Sequence, residues 1–191
     1  MVVKKNDVKK VWATFEEVIE LPEGVTGLVE NNILTIKGPK GEISKFFRFP
    51  RVYLEVEGNK VKIGSKKYTQ SEKKIIFTYI AHVNNLIRGV TLGFEYKLAV
   101  VYAKFPVSVE MKGDQFIVKN LLGEKVPRIS QVPQDVKVQV AGKDITVSGI
   151  DKERVGQVAA NLEQLTRITH LDRRVIQDGI FITLKPKRSM D

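Results

Sequence analysis

The sequence predicts an α+β protein made of two tandem, similar domains, each an antiparallel β-sheet covered on one face by a helix. Two observations lead to this fold class. The same order of strand, turn and helix signals occurs twice along the chain. In each copy, alternating strands precede a single helical segment, a pattern typical of antiparallel sheets with one covered face. The length of 191 residues suffices for two small domains that bury their own cores.

An internal duplication is indicated by the glycine turns of the two copies. Gly58 and Gly142 each follow an alternating strand, and another alternating strand comes after each of them. This pattern predicts a β-hairpin with one buried face. The spacing between the two glycines equals the spacing between Val61 and Ile145, the apolar residues that follow them. The shared register favours one repeated unit.

A helix and a closing strand are expected after each hairpin. The segment 69–72 fits a capping box at the start of the first helix, and Gly89 fits its end. Asp151 can cap the second helix. Apolar residues of this helix recur at helical spacing and should face the core: Val155, Val158, Ala159, Leu162 and Leu165. We expect the segments 94–101 and 179–184 to close their respective units as final strands.

The predicted organisation divides the chain into four segments. Residues 1–14 form a basic N-terminal arm with four lysines, and residues 185–191 form a basic C-terminal tail. Residues 15–104 form the N-terminal α+β domain. Residues 105–184 form the C-terminal α+β domain, in which most of the candidate binding residues lie.

The charge balance indicates a polyanionic partner. Lysine and arginine total 32 against 22 acidic residues, a formal net charge of +10. Such a surplus favours nucleic acid or an anionic membrane. The longest apolar stretch, residues 98–103, is far short of the about 20 residues that span a bilayer. With no apolar segment near the N-terminus we expect no secretory signal and no membrane partner. The absence of cysteine excludes disulfides and suits a reducing compartment.

Candidate catalytic groups are few. His82 lies inside the first predicted helix and favours a packing role, whereas His170 lies beside arginines and could contact phosphate. Neither has a second ligand at metal-binding spacing. The segment 37–41 lacks the Gly-Lys-Ser/Thr ending of a phosphate-binding loop, so it favours a turn that presents its two lysines. We therefore expect no catalytic residues, metal, cofactor or small-molecule substrate, and no enzyme activity.

The candidates to contact a polyanion lie mainly after the second helix. Arginine forks match phosphate oxygens bidentately, and lysines act as mobile point charges. Gly179 permits a close approach of the backbone. The side chains assigned to this role are Lys143, Arg167, His170, Arg173, Arg174, Gln177, Lys185, Lys187 and Arg188. A positive patch over residues 143–188 is the expected consequence.

Four segments resemble motifs of one known family, the universal sixth protein of the large ribosomal subunit. Residues 149–160 closely resemble its helix motif, and residues 172–181 resemble its second signature in the archaeal and eukaryotic form. Residues 36–42 and 120–125 are similar to the family's turns in the first and second domains. The resemblance extends over about residues 15–185, including the duplicated layout.

The resemblance implies a structural constituent of the large subunit that performs no chemistry. It implies that the C-terminal domain binds rRNA near the sarcin-ricin loop, and that the N-terminal domain reaches neighbouring proteins at the stalk base, in the cytoplasm. The residues carried over from the two motifs are Lys152, Gln157, Arg173, Arg174, Gln177 and Gly179. A-form RNA hides its base edges in a narrow major groove, so we expect recognition by shape, 2′-hydroxyl and phosphate contacts.

Two other functions remain open from the residues alone. A protein-binding adapter would use the open sheet faces and predicts an exposed apolar patch on them. An enzyme predicts a concave pocket with converging titratable groups. An RNA-binding protein predicts the positive patch on the C-terminal domain.

Overall fold

The structure, a computed structural model, describes residues 15–67, 69–172 and 174–186. These residues form thirteen β-strands and two α-helices in two compact units. The first unit comprises the described parts of residues 1–38 and 44–87, and the second comprises those of residues 39–43 and 88–191. The predicted basic arm and most of the basic tail lie outside the described residues.

The first unit contains two three-stranded antiparallel sheets, apart from the first three residues of β4, and most of helix α1. The strands are β1 (Phe15–Glu20), β2 (Thr26–Glu30), β3 (Ile33–Gly38), β4 (Gly41–Phe46), β5 (Val52–Glu57) and β6 (Lys60–Ser65), and the helix is α1 (Gln70–Thr91). One sheet has the order β1-β6-β5 and the other β2-β3-β4. Val61 and Ile63 on β6, and Ile76 and Val83 on α1, are fully buried, as the alternating and helical periods require.

The second unit contains a three-stranded sheet, a four-stranded sheet and helix α2. The strands are β7 (Phe94–Val101), β8 (Ser108–Lys112), β9 (Gln115–Lys119), β10 (Arg128–Gln131), β11 (Val136–Ala141), β12 (Asp144–Gly149) and β13 (Gly179–Leu184), and the helix is α2 (Lys152–Leu165). The orders are β10-β9-β8 and β11-β12-β7-β13. Helix α2 packs against β7, β12 and β13. Phe116 and Leu162 are among the fully buried members of one continuous core.

The two hairpins confirm the repeated unit at the level of register. On β5 and β6, Val52 pairs with Ser65, and on β11 and β12 Val136 pairs with Gly149. Both turns contain a glycine with positive φ, Gly58 at 58° and Gly142 at 64°. Only glycine adopts this conformation without steric cost, so the same residue type recurs at the same place.

Each unit holds two sheets, where the sequence predicted one. A proline lies in the chain where one sheet gives way to the next, and a proline cannot donate a hydrogen bond to a strand ladder. Pro50 precedes β5, and Pro133 precedes β11. In the second unit the amide of Val136 donates to the carbonyl of Pro133 at 3.1 Å, which turns the chain before the hairpin begins.

Strand β7 corrects the sequence interpretation of where a unit ends. We expected it to close the first unit, but it pairs with β12 on one side and β13 on the other. Phe94 of β7 pairs with Gly149 of β12, just as Phe15 of β1 pairs with Ser65 of β6. Each repeat therefore begins with a strand and ends with a helix, and β13 is an additional strand. The side chains of Leu98 and Val100 on β7 belong to the core of the second unit, so β7 is part of the second unit.

Helix α1 begins where predicted and ends later. The hydroxyl of Thr69 donates to the carboxylate of Glu72 at the first turn. The expected stop at Gly89 was wrong, because the helix continues to Thr91 and the chain turns at Gly93, whose φ is 73°. Gly89 serves a close approach instead, since a Cβ there would lie 2.2 Å from the carbonyl oxygen of Ile150.

In the turn at residues 37–41, one of the two lysines that were expected to face a partner is bonded to the protein itself. The backbone amide of Lys40 donates to the carbonyl of Val90 at 2.9 Å, and its ammonium group bonds the carbonyl of Leu92. These carbonyls lie at the end of α1, where cations are favoured by the helix dipole. Lys40 therefore caps a helix.

Candidate nucleic-acid interface

One end of the four-stranded sheet in the second unit carries a groove. Gly179 at the start of β13 pairs with Val101 at the end of β7, and the last turn of α2 lies beside them. The groove has a volume of about 570 Å³. Thr166, Arg167 and Gln177 are among its lining residues. It therefore combines a helix end, a loop and a strand start at one place.

The rim of the groove is held by Arg128 on β10. Its guanidinium donates to the carbonyls of Leu165 at 2.8 Å and Arg167 at 3.2 Å. It also donates twice to the Glu124 carboxylate, at 2.6 and 2.9 Å, and these bonds hold the pKa of Glu124 below its ordinary value. The last carbonyls of a helix lack partners within the helix, so a cation there both satisfies and stabilises them.

Two buried polar side chains fix the other sides of the groove. The hydroxyl of Thr166 donates to the carbonyl of Glu163 at 3.2 Å and accepts from the amide of Ile180 at 2.8 Å. The carboxylate of Asp178 accepts from the amide of Ala103 at 3.0 Å. A buried polar group needs such partners, so the loop between α2 and β13 is fastened at both of its ends.

Four predicted residues share this end of the sheet. Arg167 and Gln177 are exposed and line the groove, and Gly179 begins the strand below it with a φ of 149°. Lys143 lies in the turn between β11 and β12, where its carbonyl accepts from the amide of Val100 at 2.7 Å. Its ammonium nitrogen is 4.5 Å from the centre of the Tyr102 ring, within cation–π range.

His170 and Arg174 extend from the same loop and are exposed. Arg174 is 90% exposed, yet its guanidinium donates to the Asp172 carboxylate at 2.8 to 3.2 Å. Hydrogen bonds from Arg174 lower the pKa of Asp172, so this carboxylate stays charged. The pair reduces the net positive charge that Arg174 offers to phosphate.

Three other predicted residues lie away from the groove. Lys152 begins α2 at the opposite end, with its ammonium nitrogen 5.9 Å from the centre of the Phe94 ring. Gln157 is exposed on α2, and Lys185 follows Leu184, which pairs with Lys97. At a rise of about 3.3 Å per residue, β7 separates the two ends by roughly 23 Å. The remaining predicted residues, Arg173, Lys187 and Arg188, lie outside the described residues.

The residues that support the groove could not be recognised from the sequence. Arg128 contacts a carbonyl 37 positions later in the chain, and Asp178 bonds an amide 75 positions earlier. Local spacing cannot report contacts at such separations. An aspartate immediately before a glycine, as at Asp178, has the sequence pattern of an ordinary turn, and its burial is not visible from that pattern.

Within the described segments of the chain, no helix has the length and apolar character needed to cross a membrane. Among the same residues, no three histidine, aspartate or glutamate side chains come together as potential metal ligands.

The duplicated fold defines a two-repeat α+β protein, with a groove edged by arginine and glutamine in its second unit. A family model described as ribosomal protein L6 matches residues 21–93 and 105–179, one match in each repeat. The chain belongs to this family, whose members are structural, non-enzymatic components of the ribosome.

Three relatives extend this similarity over nearly the whole chain. The large ribosomal subunit protein uL6 of Methanosarcina mazei is 44% identical over 87% of this chain and 95% of its own length. That of Methanobrevibacter smithii is 44% identical over 92% of this chain and 98% of its own length. That of Picrophilus torridus is 45% identical over 88% of this chain and 94% of its own length. The predicted family is thereby confirmed.

Proposed function

We propose that this protein is a structural constituent of the large ribosomal subunit and binds large-subunit rRNA mainly through the C-terminal domain, residues 105–184. The relatives are named as proteins of that subunit. The observation that carries the proposal is the groove at the end of the four-stranded sheet, with Arg167 and Gln177 on its lining and Lys143 at the same end. Cytoplasmic ribosomes are the proposed location.

The chemistry of these groups suits the backbone of RNA. The Arg167 guanidinium presents a planar fork that matches two phosphate oxygens, and Lys143 contributes a point charge. The Gln177 amide carries both a donor and an acceptor, as recognition of a 2′-hydroxyl requires. Because Arg128 and Thr166 already fix the loop, less conformational entropy is lost when RNA binds.

The position within the subunit is proposed from the family resemblance. In this proposal the C-terminal domain binds near the sarcin-ricin loop, and the N-terminal domain reaches neighbouring ribosomal proteins at the stalk base. Of the residues carried over from the two C-terminal motifs, Gln157, Arg174 and Gln177 are described and exposed, and they are further candidate contacts.

The adapter function is supported less well. On the open face of the four-stranded sheet, Val101 and Leu184 are exposed, at 42% and 53%. Val101 lies at the end of β7, whereas Leu184 on β13 pairs with Lys97 in the middle of β7, and Ala99 and Phe181 pair between them. The outward residues of the neighbouring strands are polar, among them Thr146 on β12 and Gln139 on β11. The apolar strip is therefore narrow, whereas a protein-binding face requires a broad contiguous apolar patch.

The test is a titration of an rRNA fragment with the full chain at several salt concentrations. Arg167→Gln should weaken binding and reduce the salt slope by about 0.7 to 0.9 if one phosphate contact is lost. Arg154→Gln is the matched control, because Arg154 is exposed on α2, away from the groove. Equal affinities and slopes for the two variants would contradict the assignment of the groove. A wild-type protein that binds no large-subunit rRNA would contradict the function itself.

A further inference from the structure

The first unit has a surface with a strong positive charge that the proposed groove does not use. It lies where β5 begins, β6 ends and α1 starts. We call this surface the basic end; it consists of Arg48, Arg51, Lys66, Lys67, Lys73 and Lys74, all of them exposed. None of these six residues is among the binding residues predicted from the sequence.

Hydrogen bonds bring the parts of the basic end together. The hydroxyl of Ser65 donates to the carbonyl of Arg51 at 2.7 Å and accepts from the amide of Lys67 at 3.3 Å. Arg51 in turn donates to the carboxylate of Glu72 in the first turn of α1 at 3.2 Å, next to Lys73. The chain before β5, the chain after β6 and the helix start are thus fixed to one another.

A shallow groove runs through this surface. Its volume is about 420 Å³, and it is lined by Pro50, Arg51, Val52, Tyr53, Lys66 and Lys67. The lining combines cations with the flat side chains of a proline and a tyrosine. A ribose–phosphate backbone presents the complementary combination of anionic oxygens and sugar rings.

Within its own stretches of the chain, the basic end has a single carboxylate. Among the described residues of 45–54 and 64–77, the only acidic residue is Glu72. It is fully buried, and hydrogen bonds from its own amide and from Arg51 lower its pKa. It neutralises part of the Arg51 charge, although the Arg51 side chain is still 67% exposed. Of the four lysines, Lys66 also borders a pocket with Glu16, Glu55 and Glu57 of the adjacent sheet. Lys67, Lys73 and Lys74 are exposed, and this stretch of the chain holds no carboxylate other than that of Glu72.

The open face of the adjacent sheet has the opposite character. On β1, β6 and β5 the outward residues carry four glutamates and two lysines: Glu16, Glu20, Glu55, Glu57, Lys60 and Lys62. Lys60 pairs with Glu20 at 2.9 Å and Lys62 with Glu57 at 2.6 Å, so both lysines of this face are neutralised. The first unit is therefore electrically polarised, and a polyanion is attracted to the basic end and repelled from the open face.

We propose that the basic end of the first unit is a second RNA-backbone site, which binds phosphates in addition to the groove of the second unit. The inference rests on the proposed rRNA-binding function and extends it to the N-terminal domain. Exposed lysines suit a flexible row of phosphates, and the groove beside them is too shallow to desolvate the hot-spot side chains that a protein partner needs.

The experiment compares two double variants of the full chain that remove the same charge from the same region of sequence. Lys66→Gln with Lys67→Gln alters the basic end, and Lys60→Gln with Lys62→Gln alters the open face. Both are titrated against one large-subunit rRNA fragment over a range of salt concentrations. The basic-end variant should lose affinity and reduce the salt slope by about 1.4 to 1.8, because each lost phosphate contact contributes about 0.7 to 0.9. The open-face variant should match the wild type.

Footprinting on the same fragment separates this inference from the function on which it rests. The basic-end variant should lose protection of one RNA segment while Arg167→Gln loses protection of another. If the basic-end variant matches the open-face variant in affinity, slope and footprint, the second site is refuted while the groove stands. If wild-type protein itself gives no footprint, the proposed function fails first. Should the basic-end variant fold poorly by circular dichroism, Lys73→Gln with Lys74→Gln on α1 provides the same test.

Discussion

Replacing Arg128 by methionine tests whether the groove depends on a residue that need not contact RNA. Methionine preserves much of the apolar stem of arginine and removes the guanidinium. The bonds to the carbonyls of Leu165 and Arg167 are lost, together with both bonds to Glu124. The carbonyls of Leu165 and Arg167 then depend on water for the hydrogen bonds that Arg128 supplied.

The magnitude follows from the number and exposure of these bonds. A hydrogen bond to a charged group contributes about 1.5 to 3 kcal/mol when buried. The Arg128 side chain is 28% exposed, so water compensates for part of the loss. We therefore expect Arg128→Met to lower the free energy of unfolding by about 1 to 3 kcal/mol. The control, Arg154→Met, breaks a more exposed pair with Asp135 and should cost about 0 to 1 kcal/mol.

Urea unfolding of both variants measures the change in the free energy of unfolding, and rRNA titration measures the change in binding. Arg128→Met should weaken rRNA binding severalfold, because the loop carrying Arg167 must be ordered during binding. Its salt slope should stay at the wild-type value, since no phosphate contact is removed. A reduced slope would show that Arg128 itself contacts phosphate. Stability and affinity equal to those of Arg154→Met would refute the support role.

Two further predictions concern the core and the response to acid. Leu162→Ala removes a fully buried side chain from the core of the second unit and should lower the free energy of unfolding by about 2 to 5 kcal/mol in urea titrations; an unchanged value would contradict the inward position of this residue. Because Arg128 lowers the pKa of Glu124, their pair stabilises the fold above the ordinary glutamate pKa and loses this contribution as the pH falls through the lowered value. The stability difference between wild type and Arg128→Met should therefore shrink in acid, and a difference independent of pH would exclude the ion pair as its cause.

The fold was predictable wherever the signal was local. The hairpins at Gly58 and Gly142 and the Asp151 cap of α2, which accepts from the Glu153 amide at 2.8 Å, follow from turn and capping chemistry within a few residues. The place of β7 was not predictable in this way. Its alternating pattern fits a strand in either unit, and the choice depends on pairing with β12, which begins about 40 residues later.

The candidate site was predictable only as residue types. Arginine and lysine near the second signature suggested phosphate contacts, and the structure brings Lys143 and Arg167 to the same end of a sheet. The same reasoning included Lys152, which the fold places at the other end of β7. Sequence proximity within a helix motif does not reveal which end of the helix faces the groove.

The place of β7 has a consequence for the order in which the chain can fold during synthesis. All strands of the first unit and the whole of helix α1 have been synthesised once Thr91 has been added. The first unit can therefore fold while the rest of the chain is still being translated. Strand β7 emerges next, but its neighbours β12 and β13 begin only at Asp144 and Gly179. Both of its hydrogen-bonding edges therefore stay open through the synthesis of most of the second repeat, the interval in which a nascent chain is most exposed to mispairing with other strands.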